Sequence, residues 1–407
     1  MSRVKRVALV SMHTSPVAAP GTADAGGMNV SLLAIATAMA SRGLEVDLIT
    51  RAAAAGGSRV IAPGVMLREI AAGPRRVVNK DSLAEYSDEF GEEIAKLAGG
   101  AETGYDIIHA HYWLSGLATL PVALELSIPF VQTFHTLASM KDELRAPEDG
   151  LEPVRRRLSE RYLAGQADAV VAVSAAEATH LVEVMGAPAD RVWVVSPGVD
   201  LAFFSPDRAT AKSRLREELH IPLGVALLAV VGRIQPLKGH ELAIRVVAAL
   251  SEPRPQLLIV GEPTPGGEEY LASLRTLAER LGVGGNIRFL GARDRDQVAD
   301  LLAVADLTLI PSHSETFGLV ALESAASGTP VVASSSTGLK ESVSDGISGA
   351  LIDSREVSAW AAQITRLLED TPARKQLGAS ARDFAERSGW GATAAGLLSI
   401  YSSLGRP

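Results

Sequence analysis

Short apolar runs, each closed by a glycine, proline or serine, alternate along this chain with longer stretches of helical period. Residues 4–11 start basic and continue β-branched and apolar, which predicts a parallel strand covered on both faces. A glycine-rich loop follows at 20–29, then a helical pattern at 30–42 that stops at Gly43. Further strands are predicted at 45–51, 65–70, 105–109, 128–133, 169–174 and 192–196. Helices are predicted at 82–97 and 153–163, with a loop at 74–81. After a linker and short helix at 201–223 the same grammar restarts. Strands are predicted at 225–232, 256–261, 287–290, 307–311, 330–333 and 349–352, and helices at 240–250, 268–281, 295–305 and 316–326. An amphipathic helix at 388–404 ends the pattern, and periodicity alone leaves its placement open. Alternation at these lengths argues for parallel sheets with helices on both faces. Two such units in tandem predict two doubly wound α/β domains, with ligands expected in a cleft between them.

The bulk numbers agree with this division. A chain of 407 residues is too long for one hydrophobic core. Its 47% hydrophobic and 21% charged residues are those of a globular protein. A net charge of −8 without a long basic run argues against nucleic acid as the main partner. The chain has no cysteine, so disulfides and thiolate nucleophiles are ruled out, and a reducing cytoplasm fits. The apolar run near the N-terminus is too short for a signal peptide, and no window reaches the roughly 18 apolar residues of a membrane span.

Candidate chemistry gathers at strand ends. The apolar run 225–231 ends in Gly232, followed by Arg233, Pro236, Lys238 and Gly239. Two cations after a glycine suit a pyrophosphate, although a plain strand-to-helix loop would read the same way. In SHSETFGLVALESAASGTPVV, Glu315 and Glu323 are eight apart, which predicts one side of a single helix. Carboxylates accept well from the vicinal hydroxyls of a sugar. The amides of Thr316, Phe317 and Gly318 would then lie at a helix start and could face a phosphate. Gly26 and Gly27 offer a similar place at the first loop, but the pattern is not GxGxxG. His109 and His111 lack a third ligand nearby, so no metal site is expected.

Taken together, a cation pair, a helix start and two diol-binding carboxylates meet the demands of a nucleoside diphosphate sugar. GRIQPLKG and ETFGLVALE, with its E-x7-E spacing, closely resemble the donor site of the family 4 glycosyltransferases of GT-B fold, over essentially the whole chain. The resemblance implies two Rossmann-like domains and a retaining transferase that uses a UDP-sugar. It also implies that the C-terminal helix crosses back, giving domains of 1–199 with 388–407, and 200–387. SMHTSPVAAPGTADAGGMNV, HAHYWLSG and FHTLASMKD narrow it to the branch that moves N-acetylglucosamine from UDP to 1D-myo-inositol 3-phosphate, opening mycothiol synthesis.

Residue roles follow from that resemblance. Lys80, Tyr112, Thr136 and Arg156 are implied to hold the acceptor phosphate, and Asn29 the cyclitol. Gly27 lines the diphosphate, and Arg233 and Lys238 neutralise it as it leaves. His135 lies beside the donor sugar, Glu315 and the amides after it bind the sugar, Glu323 takes the ribose diol, and Arg293 meets uracil through its backbone. Arg233, Lys238 and His135 form the catalytic set. No metal is obligatory, although magnesium is compatible, and a homodimer is implied. GEPTPGGEEY and SSSTGLKESV depart from the family's usual runs, which opens the sugar identity more than the reaction type. The nearest alternative is a family 4 enzyme with another UDP- or GDP-sugar and another phosphorylated or cyclitol acceptor, such as one resembling sucrose-phosphate synthase. The E-x7-E pair argues against a UDP-N-acetylglucosamine 2-epimerase. Intact Arg233, Lys238, Glu315 and His135 argue against a silent nucleotide-sugar binder.

Overall fold

The computed structural model describes residues 4–18, 26–100, 104–143, 150–222, 224–264 and 266–405. Most of the glycine-rich loop expected at 20–29 lies outside these residues, and only its end from Gly26 is described. The chain forms two compact units, one of residues up to 197 joined by 390–405, the other of residues 198–389.

In the first unit the order is β1 (Arg6–Ser11), α1 (Gly27–Ala40), β2 (Glu45–Arg51), β3 (Gly57–Ala62), β4 (Val65–Ile70), α2 (Ser87–Ala98) and β5 (Ile107–His111). It continues with α3 (Trp113–Leu126), β6 (Phe130–Thr133), α4 (Ala138–Glu143), α5 (Val154–Gln166), β7 (Ala169–Ala172), α6 (Ala175–Glu183) and β8 (Val192–Val194). The sheet order is β3-β4-β2-β1-β5-β6-β7-β8, parallel except for the β3–β4 pair. Strand order reverses between β1 and β5, and ligands gather at the carboxyl ends beside such a switch. Apolar side chains of β1, β5, β6 and β7 are buried under Phe90, Leu114 and Leu163 from three helices.

The second unit runs α7 (Lys212–Glu218), β9 (Leu227–Val231), α8 (His240–Ala249), β10 (Gln256–Val260), α9 (Glu268–Arg280), β11 (Ile287–Gly291), α10 (Arg295–Val304) and β12 (Leu307–Ile310). Then come α11 (Leu319–Ala326), β13 (Val331–Ser334), α12 (Leu339–Ser342), β14 (Gly349–Ile352), α13 (Val357–Glu369) and α14 (Thr371–Glu386). Its sheet is all parallel, ordered β11-β10-β9-β12-β13-β14, with the switch between β9 and β12. One face packs on α8 and α13 through Ile244, Val247, Trp360 and Ile364, the other on α10 through Leu301 and Val304. The last helix, α15 (Trp390–Leu404), belongs to the first unit. It packs on α1, and Arg42 Nη2 donates to the Gly391 carbonyl at 2.8 Å.

Four local expectations change. The helix expected at 82–97 is a 3₁₀ turn over Lys80–Tyr86 followed by α2. The Ala84 carbonyl accepts from Ser87 Oγ and Arg155 Nη2. The strand expected at 105–109 lies two residues later, so both His109 and His111 are inside β5. Strand β3 was not expected, because an exposed edge paired on one side carries no apolar face. Finally, the helix expected from 316 begins at Leu319. Glu315 and Glu323 therefore do not share a helix, and Thr316, Phe317 and Gly318 form a loop. The Glu315 carbonyl accepts from Thr337 Oγ1 at 2.6 Å and Gly338 N at 3.0 Å, which draws the backbone out of helical register.

Candidate active site

In the second unit three neighbouring strands, β9, β10 and β11, run into Gly232, Gly261 and Gly291, all with positive φ. A Cβ on Gly261 would lie 2.0 Å from the Gly232 carbonyl, so Gly261 is bare backbone by steric necessity. A Cβ on Gly232 would meet only the Lys238 stem, at 3.8 Å. Arg233 is exposed there and makes no ion pair with any described residue. Lys238 does: its Nζ donates to Glu315 Oε1 at 2.6 Å. Ser312 Oγ donates to the same oxygen at 2.7 Å, and Thr337 Oγ1 accepts from the Glu315 amide at 3.1 Å. The expected cation pair is thus one exposed arginine and one lysine already matched to Glu315, the carboxylate expected to meet the sugar.

Gly239 closes the 3₁₀ turn Pro236–Lys238 at φ 66°, and a Cβ there would strike the Pro311 carbonyl at 2.1 Å. Behind it, Glu241 accepts from Tyr270 Oη at 2.7 Å and faces His313 and Arg355. Burial opposes its charge, but the bonds from His313 and Tyr270 outweigh that and hold its pKa at about 2. Glu323, on α11, is different. Burial pushes it up to about 7, against the weaker pull of Arg295. Arg293 is exposed between β11 and α10, where Glu262 Oε1 accepts from Ala292 N at 3.0 Å.

In the first unit the carboxyl ends of β1, β5 and β6 hold a second cluster. Tyr112 follows β5 at φ 75°, and His135 follows β6 at φ 63°. Positive φ is costly for residues with a side chain and is tolerated where the surroundings over-determine it. Lys80 Nζ lies 4.7 Å from the Tyr112 ring centre and Arg156 Cζ 5.0 Å. Arg156 is buried and already held: it donates to Glu160 at 2.6 Å, Glu152 at 2.7 Å, the Thr136 carbonyl at 2.9 Å and Thr136 Oγ1 at 3.1 Å. The structure so brings Lys80, Tyr112, Thr136 and Arg156 together. Asn29 is bonded within its own loop. Its side chain bonds Thr14, the Ser15 carbonyl and the Gly26 amide, which folds the chain into α1. Gly27 is the first residue of that helix, where amides lack intrahelical acceptors.

Sequence reasoning missed His13. Its ring centre lies 4.4 Å from that of Tyr112, and its Nδ1 is buried without a partner among the described residues. Burial, then the charges of Lys80, His135 and Arg156, hold its pKa well below the usual value. The signal was present, since His13 comes two residues after the end of β1, beside the switch point. Ser312 and Thr337, which fix Glu315, were also missed. Among the described residues no group of three acidic or histidine side chains could hold a metal ion.

Two families match this chain: residues 211–384 match one described as Glycosyl transferases group 1, and residues 25–203 match Glycosyltransferase Family 4. The chain belongs to the family 4 glycosyltransferases. It is 41% identical to the D-inositol 3-phosphate glycosyltransferase of Nocardia farcinica (strain IFM 10152), over 98% of this chain and 90% of that protein. It is 40% identical to the enzyme of the same name from Corynebacterium efficiens, over 98% and 95%. Among solved structures, sucrose-phosphate synthase from Thermosynechococcus elongatus aligns with a TM-score of 0.86 at 28% identity, over 98% of this chain and 99% of that one. The expected GT-B class therefore holds, and the chain is a glycosyltransferase. No helix among the described residues is long and apolar enough to cross a membrane.

Proposed function

We propose that this enzyme transfers N-acetylglucosamine from UDP-N-acetylglucosamine to 1D-myo-inositol 3-phosphate, with retention at the anomeric carbon, as the opening step of mycothiol synthesis. The observation that carries the acceptor is the placing of Lys80 and Arg156 over the Tyr112 ring, with Thr136 bonded to Arg156. Two cations and a hydroxyl complement a phosphate, and Arg156, fixed by four bonds, loses little freedom on binding it. Relatives at about 40% identity named for this acceptor support the same reading.

On the donor side Arg233 and Lys238 face the diphosphate, Glu315 and the amides of Thr316, Phe317 and Gly318 face the sugar, Glu323 the ribose diol, and the Arg293 backbone the uracil. The acceptor hydroxyl attacks the anomeric carbon on the face from which UDP departs. A new C–O bond forms as the bond to the β-phosphate oxygen breaks, and the hydroxyl proton passes to that departing oxygen. Arg233 and Lys238 stabilise the charge that develops there, so no metal is obligatory. Lys238 must exchange part of its bond to Glu315 for the diphosphate, which frees Glu315 for the sugar. A cytoplasmic homodimer completes the proposal.

UDP release from UDP-N-acetylglucosamine, with and without 1D-myo-inositol 3-phosphate, tests it. Release only with the acceptor, and an N-acetylglucosaminyl-inositol phosphate product by mass, is expected. Turnover with fructose 6-phosphate instead would favour the sucrose-phosphate synthase-like reading, to which the 28% identical structure gives some support.

A further inference from the structure

Three buried rings connect the C-terminal helix to the half-buried His135. Tyr401 Oη on α15 bonds His109 Nδ1 at 2.6 Å, and His109 Nε2 bonds Thr133 Oγ1 at 2.8 Å. The His109 ring lies 4.1 Å from the His111 ring, tilted by 30°. His111 Nδ1 then meets His135 Nε2 at 2.9 Å. His109, His111 and Tyr401 are all under 2% exposed. We infer that His111 is a positioning residue, and that it donates its Nδ1–H to His135 Nε2, so that His135 offers an Nδ1–H donor to the site and cannot act there as a base.

The remaining nitrogen of His111 decides the direction. Two neutral imidazoles 2.9 Å apart share one proton between them, so one ring must donate and the other accept. His111 Nε2 is buried and has no partner among the described residues. Were His135 the donor, His111 would carry its proton on Nε2, as an N–H without an acceptor. With His111 as donor, Nε2 is only a bare lone pair, and buried lone pairs go unmatched more readily than buried N–H groups. A cavity of about 30 Å³ borders the cluster, lined by His109, His111, His135, Val171, Val195 and Leu397 among others. That volume would admit a water, but a buried water needs two or more polar partners. Ser31, Thr133 and Thr393 border it, but its wall is almost entirely apolar, so a water there would not find them. Burial holds both rings neutral, with His135 at about 3. Tyr401 and Thr133 hold both His109 nitrogens, and His109 in turn supports the plane of His111.

This inference rests on His135 belonging to the site, but its test does not need turnover. Long-range ¹H–¹⁵N correlation on ring-labelled histidine reads each tautomer directly. His135 in the native protein is expected as a single Nδ1–H tautomer. In His111→Phe, which cannot donate, the His135 pattern should shift toward Nε2–H. His111→Asn, whose side-chain N–H replaces Nδ1–H, should restore it. In the transfer assay His111→Phe should lower kcat by tenfold or more with both KM values within about twofold, and Asn should recover most of the loss. An Nε2–H tautomer in the native protein would overturn the proposal without any variant having to fold. So would a His135 pattern that ignores His111→Phe. Failure to turn over these substrates, with the tautomers as expected, would instead count against the acceptor or donor assignment.

Discussion

Glu323 is a residue whose protonation the proposed donor would change. Its pKa of about 7 in the free protein reflects burial, which favours the protonated form. A carboxyl raised above its unfolded value binds an extra proton when folded. Stability from this group is therefore present at low pH and is lost as pH rises from the unfolded pKa toward 7. A ribose diol donates to the carboxylate, so UDP should bind the ionised form and release a proton near neutrality. UDP affinity is expected to fall about tenfold per pH unit below 7, until the pKa of the complex is reached. Calorimetry in buffers of different ionisation enthalpy would count the proton. Glu323→Gln should flatten the pH dependence and raise the melting temperature at pH 8 but not at pH 4. A flat native profile would remove Glu323 from the ribose site. At this scale the candidates readable in the sequence sit in marked runs, as do Arg233, Lys238 and Glu315. The sequence was unreadable where partners come from distant strands. Thr337 reaches Glu315 only because β13 lies beside β12, and His13 reaches Tyr112 only because β1 pairs with β5.

The elements show the same division. Strands buried on both faces, such as β9 with its run LLAVV, carry their own signal, and their expected limits lie within two residues of the observed ones. Edges and starts of helices were harder, because they are set by partners. Strand β3 exists only through β4, and α11 starts late because residues 337–338 capture the Glu315 carbonyl. Helices α13 and α14 had a readable period, with Trp360, Ile364 and Leu367 on one face, but carried no motif to draw attention. One contact between elements permits a sharp test. Gly91 in α2 faces α3, and a Cβ there would lie 2.4 Å from the Ala118 carbonyl. Backbone cannot yield as a flexible side chain does, so α2 would have to move off α3. Gly91→Ala is expected to cost about 1–3 kcal/mol, despite the better helix propensity of alanine. Urea unfolding would measure it, with an unchanged slope. A neutral or stabilising result would mean that the two helices are less closely held than the geometry requires.

On the scale of the molecule, the chain order and the units do not coincide. Residues 198–389 carry their own sheet with cores on both faces, and within them lie Arg233, Lys238, Arg293, Glu315 and Glu323. The first unit is interrupted, since it takes its last helix from the far end of the chain. Helix α15 buries Trp390, Leu397, Ile400 and Tyr401. At about 1.5–3 kcal/mol for each large apolar side chain, those four are comparable with the whole stability of an ordinary domain, about 5–15 kcal/mol. The two units should therefore respond differently to being cut out. A fragment of 198–389 is expected to unfold cooperatively and to bind UDP within about tenfold of the full chain, while releasing none from UDP-N-acetylglucosamine. A fragment ending at 197 should lack a cooperative transition, and should regain one when α15 is joined through a short linker or supplied as a peptide. Tyr401→Phe in the joined form would keep the packing while breaking the bond to His109, so it should fold yet change the His109 ring signals. Cooperative unfolding of 1–197 without α15 would show that the last helix is an addition to a finished core rather than part of it.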